Sequence, residues 1–244
     1  MKWFILLLSS CFILATFTSP SQAMEKDIIK TSEGNLTITF VGHGTLIFEF
    51  GKKVIHIDPY SKLTDYTSLP KADVIFITHE HRDHLNLSAL EKIRTDKTGF
   101  ILNQAAADKL GSGKVMKNGD RMEIAGLTVE AVPAYNLVHM RSEGVPFHPE
   151  GNGNGYIITF GDKKVYVAGD TENVPEMKAL KDIDIAFLPM NLPYTMTPEM
   201  VADAAKAFRP TILYPYHFGE TDTSKIVELL KDTRDIEVRI RSMK

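Results

Sequence analysis

Between positions 79 and 84 the chain reads His79-Glu80-His81-Arg82-Asp83-His84, three imidazoles and two carboxylates in six residues. Histidine makes up only 8 of the 244 residues, so this concentration is not background. Neutral imidazole and carboxylate are ligands for a borderline-soft divalent cation such as Zn²⁺. The cluster follows directly on Asp73-Val74-Ile75-Phe76-Ile77-Thr78. That run is short, β-branched and aromatic, with polar residues at its edges, and it predicts a buried strand. Alternate side chains of an extended segment share a face, which places His79, His81 and Asp83 on one side. His84 breaks the alternation, and a turn after the strand would carry it to a second, adjacent position. Glu80 does not make a zinc-protease helix motif, because His-Glu-His on a strand lacks the one-turn helical spacing of the two ligands.

The pattern His-x-His-x-Asp-His resembles the signature of the metallo-β-lactamase-fold hydrolases, and the resemblance runs over nearly all of the chain beyond residue 23. Gly169-Asp170-Thr171, after Lys164-Val165-Tyr166-Val167-Ala168, is similar to that family's strand ending in a metal-bridging aspartate, and Tyr214-Pro215-Tyr216-His217 to its last ligand strand. Gly42-His43-Gly44-Thr45 and Ile57-Asp58-Pro59 resemble elements that precede the ligand cluster. Within the superfamily the chain is similar to the broad branch of metal-dependent hydrolases that includes the ascorbate-6-phosphate lactonase type. The resemblance implies two zinc ions. His79, His81 and a third histidine would hold one; Asp83, His84 and His217 the other; Asp170 would bridge them. Asp83, Asp170 and a bridging hydroxide would offset the charge of the cations, and metal binding brings the pKa of water to about 7. Asp83 and Asp170 are accordingly the expected catalytic carboxylates.

The third histidine departs from the family pattern. Where the resemblance expects it, after the strand Leu127 to Ala134, the chain reads Ala134-Tyr135-Asn136. His148, in Pro146-Phe147-His148-Pro149, and His139 are the candidates. His148 is preferred: the prolines restrict its backbone and the glycines that follow allow a sharp return. His139 reads as a solvated loop residue. His43 is open between a pocket-lining group and a plain turn histidine, and Asp58 between holding a ligand histidine's ring and initiating an Asp-Pro turn. His56, in an alternating strand, reads as structural.

The elements that must position these groups are short. Leu36 to Phe40, Thr45 to Phe50 and Val54 to Ile57 predict a strand meander with turns at Gly42, Gly44 and Gly51. Ser88-Ala89-Leu90-Glu91 reads as a capping box, and a second helix is expected from Gln104 to Leu110, started by Asn103 and stopped by Gly111. Leu127 to Val132 is a strand, and Asn136 to Asn154 a long loop of the kind that is usually functional or mobile. Tyr156 to Phe160 and Lys164 to Ala168 form a hairpin around Gly161-Asp162. Strands at Asp184 to Pro189, Thr211 to Tyr216 and Ile236 to Ile240 alternate with helices from Thr197-Pro198 to Phe208 and from Ser224 to Lys231. Two strand-rich halves with helices outside give an α/β fold, a four-layer αββα sandwich as in the family it resembles.

Residues 1–23 form a separate unit: Lys2, an apolar stretch from Trp3 to Ala15, and small residues at Ser21 and Ala23. This is the design of a secretory signal peptide cleaved after Ala23, with lipidation at Cys11 as the alternative. Export to a periplasm or beyond the cell is expected, with membrane attachment only through Cys11. Cys11 is the sole cysteine, so residues 24–244, one hydrolase domain, have no thiolate ligand, nucleophile or disulfide. The net charge of −3, without a basic run interleaved with aromatics, gives no indication of nucleic-acid binding.

The expected function is an exported zinc hydrolase that attacks an ester, lactone, amide or phosphoester of a small-molecule substrate with metal-bound hydroxide. The alternatives are an iron oxidoreductase on the same fold and a degenerate metal-binding protein without turnover. Tyr135, Arg141 and Phe147, with Asn191 to Thr195 opposite, are the candidate substrate contacts, and Arg141 taken alone reads as a solvated surface residue.

Overall fold

The computed structural model describes residues 24–244; the expected signal peptide and Cys11 lie outside them. The first half holds strands β1 (Glu25–Thr31), β2 (Gly34–Gly42), β3 (Thr45–Phe50), β4 (Lys53–Ile57) and β5 (Val74–Phe76). Helix α1 (Leu87–Ile93), β6 (Gly99–Leu102), helix α2 (Gln104–Leu110) and β7 (Lys114–Val115) complete it. The second half runs through β8 (Arg121–Ile124), β9 (Leu127–Ala134), β10 (Met140–Ser142), β11 (Val145–Pro146), β12 (Gly153–Phe160) and β13 (Lys163–Val167). It ends with α3 (Pro175–Lys178), β14 (Ile185–Pro189), α4 (Pro198–Phe208), β15 (Ile212–Tyr216), α5 (Ser224–Leu230) and β16 (Glu237–Val238).

Two seven-stranded sheets result, one in the order β1 to β7 and the other β16-β15-β14-β13-β12-β9-β8. Each is antiparallel through its hairpins and becomes parallel where longer connections intervene, from β4–β5 and from β13–β14 onward. The two-residue period of β5 shows why the layers form. Val74 and Phe76 point into the core between the sheets, with Leu36, Phe48 and Ile158. Ile75 and Ile77 point outward into a second cluster with Ala89, Leu90 and Ile93 of α1 and Ala106 of α2. Every residue of the three-residue strand is buried, so each side chain contributes about 1.5–3 kcal/mol by leaving water. On the other outer face α4 presents Val201, Ala204, Ala205 and Phe208, and Phe208 meets Tyr166 of β13 edge to face. The α/β sandwich is the architecture expected.

Several local features differ from expectation. Strand β1 was not anticipated, since Lys26, Asp27 and Lys30 leave it little apolar pattern; it is a charged edge strand paired with β2. Helix α1 begins at Leu87, and its cap is Asn86, whose Oδ1 accepts from Ala89 N at 3.0 Å, not the Ser88 box. Asn103 caps α2 as expected, and Gly111 ends it in the left-handed conformation. The long loop contains the small hairpin β10–β11 and stops earlier than expected, because Gly153 and Asn154 already belong to β12. Gly153 reads as a loop residue but is a close-approach residue: a Cβ there would lie 2.6 Å from Ala134 O.

Candidate metal centre

Parallel sheets gather functional groups beyond the carboxyl ends of their strands. Here β4 delivers Asp58, β5 the segment from Thr78 to His84, β13 Asp170, and β15 His217. The β2–β3 turn adds His43, and the loop between β9 and β12 returns His148 to the same end. Positive φ marks the tightness of this assembly. His43 (51°), Asp58 (44°) and His217 (46°) all adopt the left-handed region, which costs a non-glycine residue about 1–3 kcal/mol and persists only where the surroundings impose it. The restraints are visible: His217 N donates to His43 O, and Thr45 Oγ1 donates to Asp58 O. Gly44 lies beneath the rings, where a Cβ would stand 3.1 Å from His84 Cε1 and 3.4 Å from His217 Cδ2.

All seven expected ligand residues converge. Near the pocket floor, His84 Nε2 and His217 Nε2 each lie 3.6 Å from Asp83 Oδ2, and lie 3.5 and 3.6 Å from Asp170 Oδ1. Tetrahedral coordination with bonds of about 2.0–2.2 Å requires donors about 3.3–3.6 Å apart, so the spacing fits one cation. Buried His84 Nε2, His217 Nε2 and Asp170 Oδ1 have no hydrogen-bond partner among the described residues, a costly arrangement that a cation would resolve. Beside this set, His79, His81 and His148 bring ring nitrogens within 4.8 Å of one another. Asp170 Oδ2 faces them, 3.4 Å from His148 Nε2 and 4.0 Å from His79 Nε2. The two oxygens of Asp170 thus address two adjacent donor sets, and the nitrogen-and-oxygen chemistry of both suits a divalent metal.

Outer residues hold the rings in place. Asp58, fully buried, accepts from His84 Nδ1 at 2.8 Å and from Thr78 N and Oγ1 at 2.8 and 2.6 Å. With its hydrogen given to Asp58, Thr78 Oγ1 is left to accept from His79 Nδ1 at 3.0 Å. His148 Nδ1 donates to Asn136 Oδ1 at 2.8 Å. These bonds orient all three rings with Nε2 inward. His79 and His148 then carry their proton on the outer nitrogen, and His84, which the surrounding carboxylates favour as the cation, would give up its inner proton to a metal.

Asn136, where the family resemblance expects a histidine, instead holds His148 by two hydrogen bonds. Its Oδ1 also accepts from His148 N at 2.8 Å, and its amide donates to Glu172 Oε1 at 3.0 Å and Tyr194 O at 2.9 Å. Glu172 was not singled out in the sequence, where only its closeness to Asp170 marks it. It is fully buried and accepts from the backbone N–H groups of Leu137, Val138 and His139 at 2.7–2.8 Å. His139 is not a solvated loop residue, since its Nδ1 sits 2.7 Å from Glu172 Oε1 and its side chain is three-quarters covered. It lies outside the donor sets. Glu80 also points away, to Asn152 Nδ2 at 3.1 Å, and His56 is a core residue bonded to Pro70 O. His43 is a site residue: its Nε2 is 2.9 Å from Asp83 Oδ2 and its ring lies 3.7 Å from that of His217.

The electrostatics divide the cluster. Burial, reinforced by neighbouring imidazoles, pushes His148 down to about 4 and His79 well below its ordinary value, so both are neutral donors at physiological pH. Burial acts the same way on His84, but Asp170, Asp58 and Asp83 outweigh it and raise that imidazole to about 10. Asp83 and Asp170 remain ionised: burial opposes this, and the surrounding histidines hold both well below the usual carboxylate range. The pocket above is open, about 820 Å³, and its walls include Tyr60, Arg141, Phe147 and Tyr194. Arg141 is exposed, as its sequence reading expects, and its side chain lines this open pocket.

Comparison with known proteins agrees with this geometry. Residues 37–217 match the family model described as the beta-lactamase superfamily domain. A UPF0173 metal-dependent hydrolase from Thermococcus onnurineus is 32% identical over 198 residues, covering 75% of this chain and 84% of the relative. One from Methanopyrus kandleri is 28% identical over 200 residues, with the same coverage. Among solved structures, a protein from Parabacteroides distasonis described as a metal-dependent hydrolase superposes with a TM-score of 0.87 at 50% identity, over 91% of this chain and all of that one. The metallo hydrolase Igni18 of Ignicoccus hospitalis gives a TM-score of 0.69 at 26% identity, over 84% of this chain and 94% of that one. With the family model spanning both donor sets up to His217, this chain belongs to the β-lactamase superfamily and is one of its metal-dependent hydrolases, built on the metallo-β-lactamase fold.

Proposed function

We propose that the protein is an exported hydrolase that holds two zinc ions and cleaves an ester, lactone, amide or phosphoester in a small molecule. The observation that carries this reading is Asp170, whose Oδ1 faces the Asp83, His84 and His217 set while Oδ2 faces the His79, His81 and His148 set. When bound, the ions supply Lewis-acid polarisation and lower the pKa of a water to about 7. The residues do the rest. Asp170 holds the two sets at a fixed separation. Asp83, whose side chain is 35% exposed, reaches the pocket and stays ionised, so it would hold its metal and accept a hydrogen bond from the attacking water. His43 donates from Nε2 to Asp83 Oδ2, which keeps that carboxylate aimed at the pocket. Imidazole and carboxylate donors suit zinc, a redox-inert Lewis acid fitted to hydrolysis. Export rests on the apolar N-terminal stretch ending at Ser21 and Ala23, with Cys11 as the one route to membrane attachment.

Metal analysis of protein purified without chelator, with hydrolysis assays on a 4-nitrophenyl ester, a lactone and bis(4-nitrophenyl) phosphate, tests the reading. About two zinc ions per chain and turnover of one of these classes are expected. Folded protein that resists zinc loading, or a His81→Ala variant with full activity, refutes it. Iron as the resident metal, with oxygen uptake, would establish the oxidoreductase alternative instead.

A further inference from the structure

The pocket mouth carries an unbalanced charge. Lys62, Arg82, Lys109 and Arg141 all line it, and none forms an ion pair among the described residues. The only carboxylates in the lining are Asp83 and Asp170, both members of the donor sets. This is not a general property of the chain, whose net charge is −3. Four unpaired cations around the mouth of a site that itself binds cations repel one another and the metals, a cost that an anionic ligand relieves.

Arg141 is the best organised of the four. It stands on β10, in the hairpin over the site, with its guanidinium carbon 5.8 Å from the centre of the Phe147 ring. Phe147 in turn packs edge-on against Tyr194 at 5.0 Å, joining the hairpin to the opposite loop. The guanidinium is exposed at the pocket mouth, near the Phe147 face, and its N–H fork makes no hydrogen bond with any described residue. A free fork facing the pocket matches a carboxylate or phosphate in two-point contact. By contrast, Lys109 spends one donor on Glu80 O. Phe147, Tyr194 and Tyr60 add aromatic surface to the same pocket wall.

We propose that Arg141 is the specificity anchor for an oxyanion on the substrate, and that the substrate is an amphiphilic acid: an anionic group bound at Arg141, an aryl or alkyl body against Phe147 and Tyr194, and the scissile bond over Asp170. This rests on the hydrolase reading for the scissile bond but not for the anion site. The test uses the zinc-loaded protein, an Arg141→Met variant and an Arg141→Lys variant. Calorimetry with benzylphosphonate and phenylacetate measures the anion site without turnover and separates phosphate-like from carboxylate ligands. Hydrolysis of 4-nitrophenyl butyrate against its hemisuccinate analogue measures selectivity.

At least a tenfold loss of affinity for one of the two anions is expected in Arg141→Met, with partial recovery in Arg141→Lys. The ratio of kcat/KM for the anionic over the neutral ester should fall by a similar factor, carried by KM. Affinity for both anions within twofold of wild type in Arg141→Met overturns the proposal, since the metals alone would then account for anion binding. Wild-type protein that binds the anions through Arg141 yet turns over none of the ester, lactone and phosphodiester substrates would sink the proposed substrate range and leave the anion site standing.

Discussion

Replacing Asn136 with alanine tests whether the residue that displaces the family's histidine acts through His148. In the wild-type protein Asn136 uses its full hydrogen-bonding capacity: Oδ1 receives His148 N and Nδ1, and Nδ2 serves Glu172 and Tyr194. Alanine leaves the His148 amide, in a residue only 5% exposed, without its acceptor, at a cost of about 1–3 kcal/mol to folding. It also frees the His148 ring from the bond that turns Nε2 toward Asp170. Loss of a partner of this kind usually weakens metal binding about 10–100-fold, or roughly 1.4–2.7 kcal/mol. The weakening should fall on one metal only. Competition against a chromophoric zinc chelator should show one equivalent binding as in wild type, through Asp83, His84 and His217, and the other weakened by that factor. His148→Ala, which removes the donor itself, should be worse: zinc stoichiometry near one and turnover down at least about tenfold, roughly 1.4 kcal/mol in the barrier. If folded Asn136→Ala protein binds both equivalents within twofold of wild type, Asn136 does not position His148.

Two further outcomes concern the core and the floor of the site. Burial holds His56 at about 4 in the folded protein, against about 6.5 when unfolded, so the unfolded chain binds more protons between these values and stability must fall as pH drops through that window. Urea unfolding of chelator-treated protein should lose about 2 kcal/mol more between pH 7 and 5 in wild type than in His56→Gln; parallel losses would contradict the assignment. Gly44→Ala should push the His84 and His217 rings by tenths of an ångström and lower turnover several-fold with little change in Tm, measured by steady-state kinetics beside thermal unfolding. Wild-type turnover in that variant would show that the rings tolerate the shift.

How much of this was legible beforehand depended on whether the signal was local. The strand before His79, the helix from Thr197-Pro198 and the cap at Asn103 follow from side-chain period and hydrogen-bonding chemistry within a few residues, and they stand where the pattern placed them. The donor residues were recognisable by type, spacing and resemblance. What sequence left open was every choice set by contacts across the fold. His148 and His139 are separated by nine positions in one loop, and only Glu172, thirty-odd residues further on, takes His139 aside while Asn136 aims His148 inward. His43 and a plain turn histidine look alike until Asp83, forty positions away, stands 2.9 Å from its ring. Arg141 is an ordinary surface cation until Phe147 lies under it and three more cations share the same mouth. Strand β1 escaped notice because edge strands need little apolar pattern, their stability coming from the neighbour they pair with. Residue chemistry thus pointed to a metal centre and to the side chains that could supply it. Which histidine completes it, and what charge the pocket presents, were decided by tertiary packing, because hydrogen bonds and Coulomb forces act over distances in space that the order of residues does not encode.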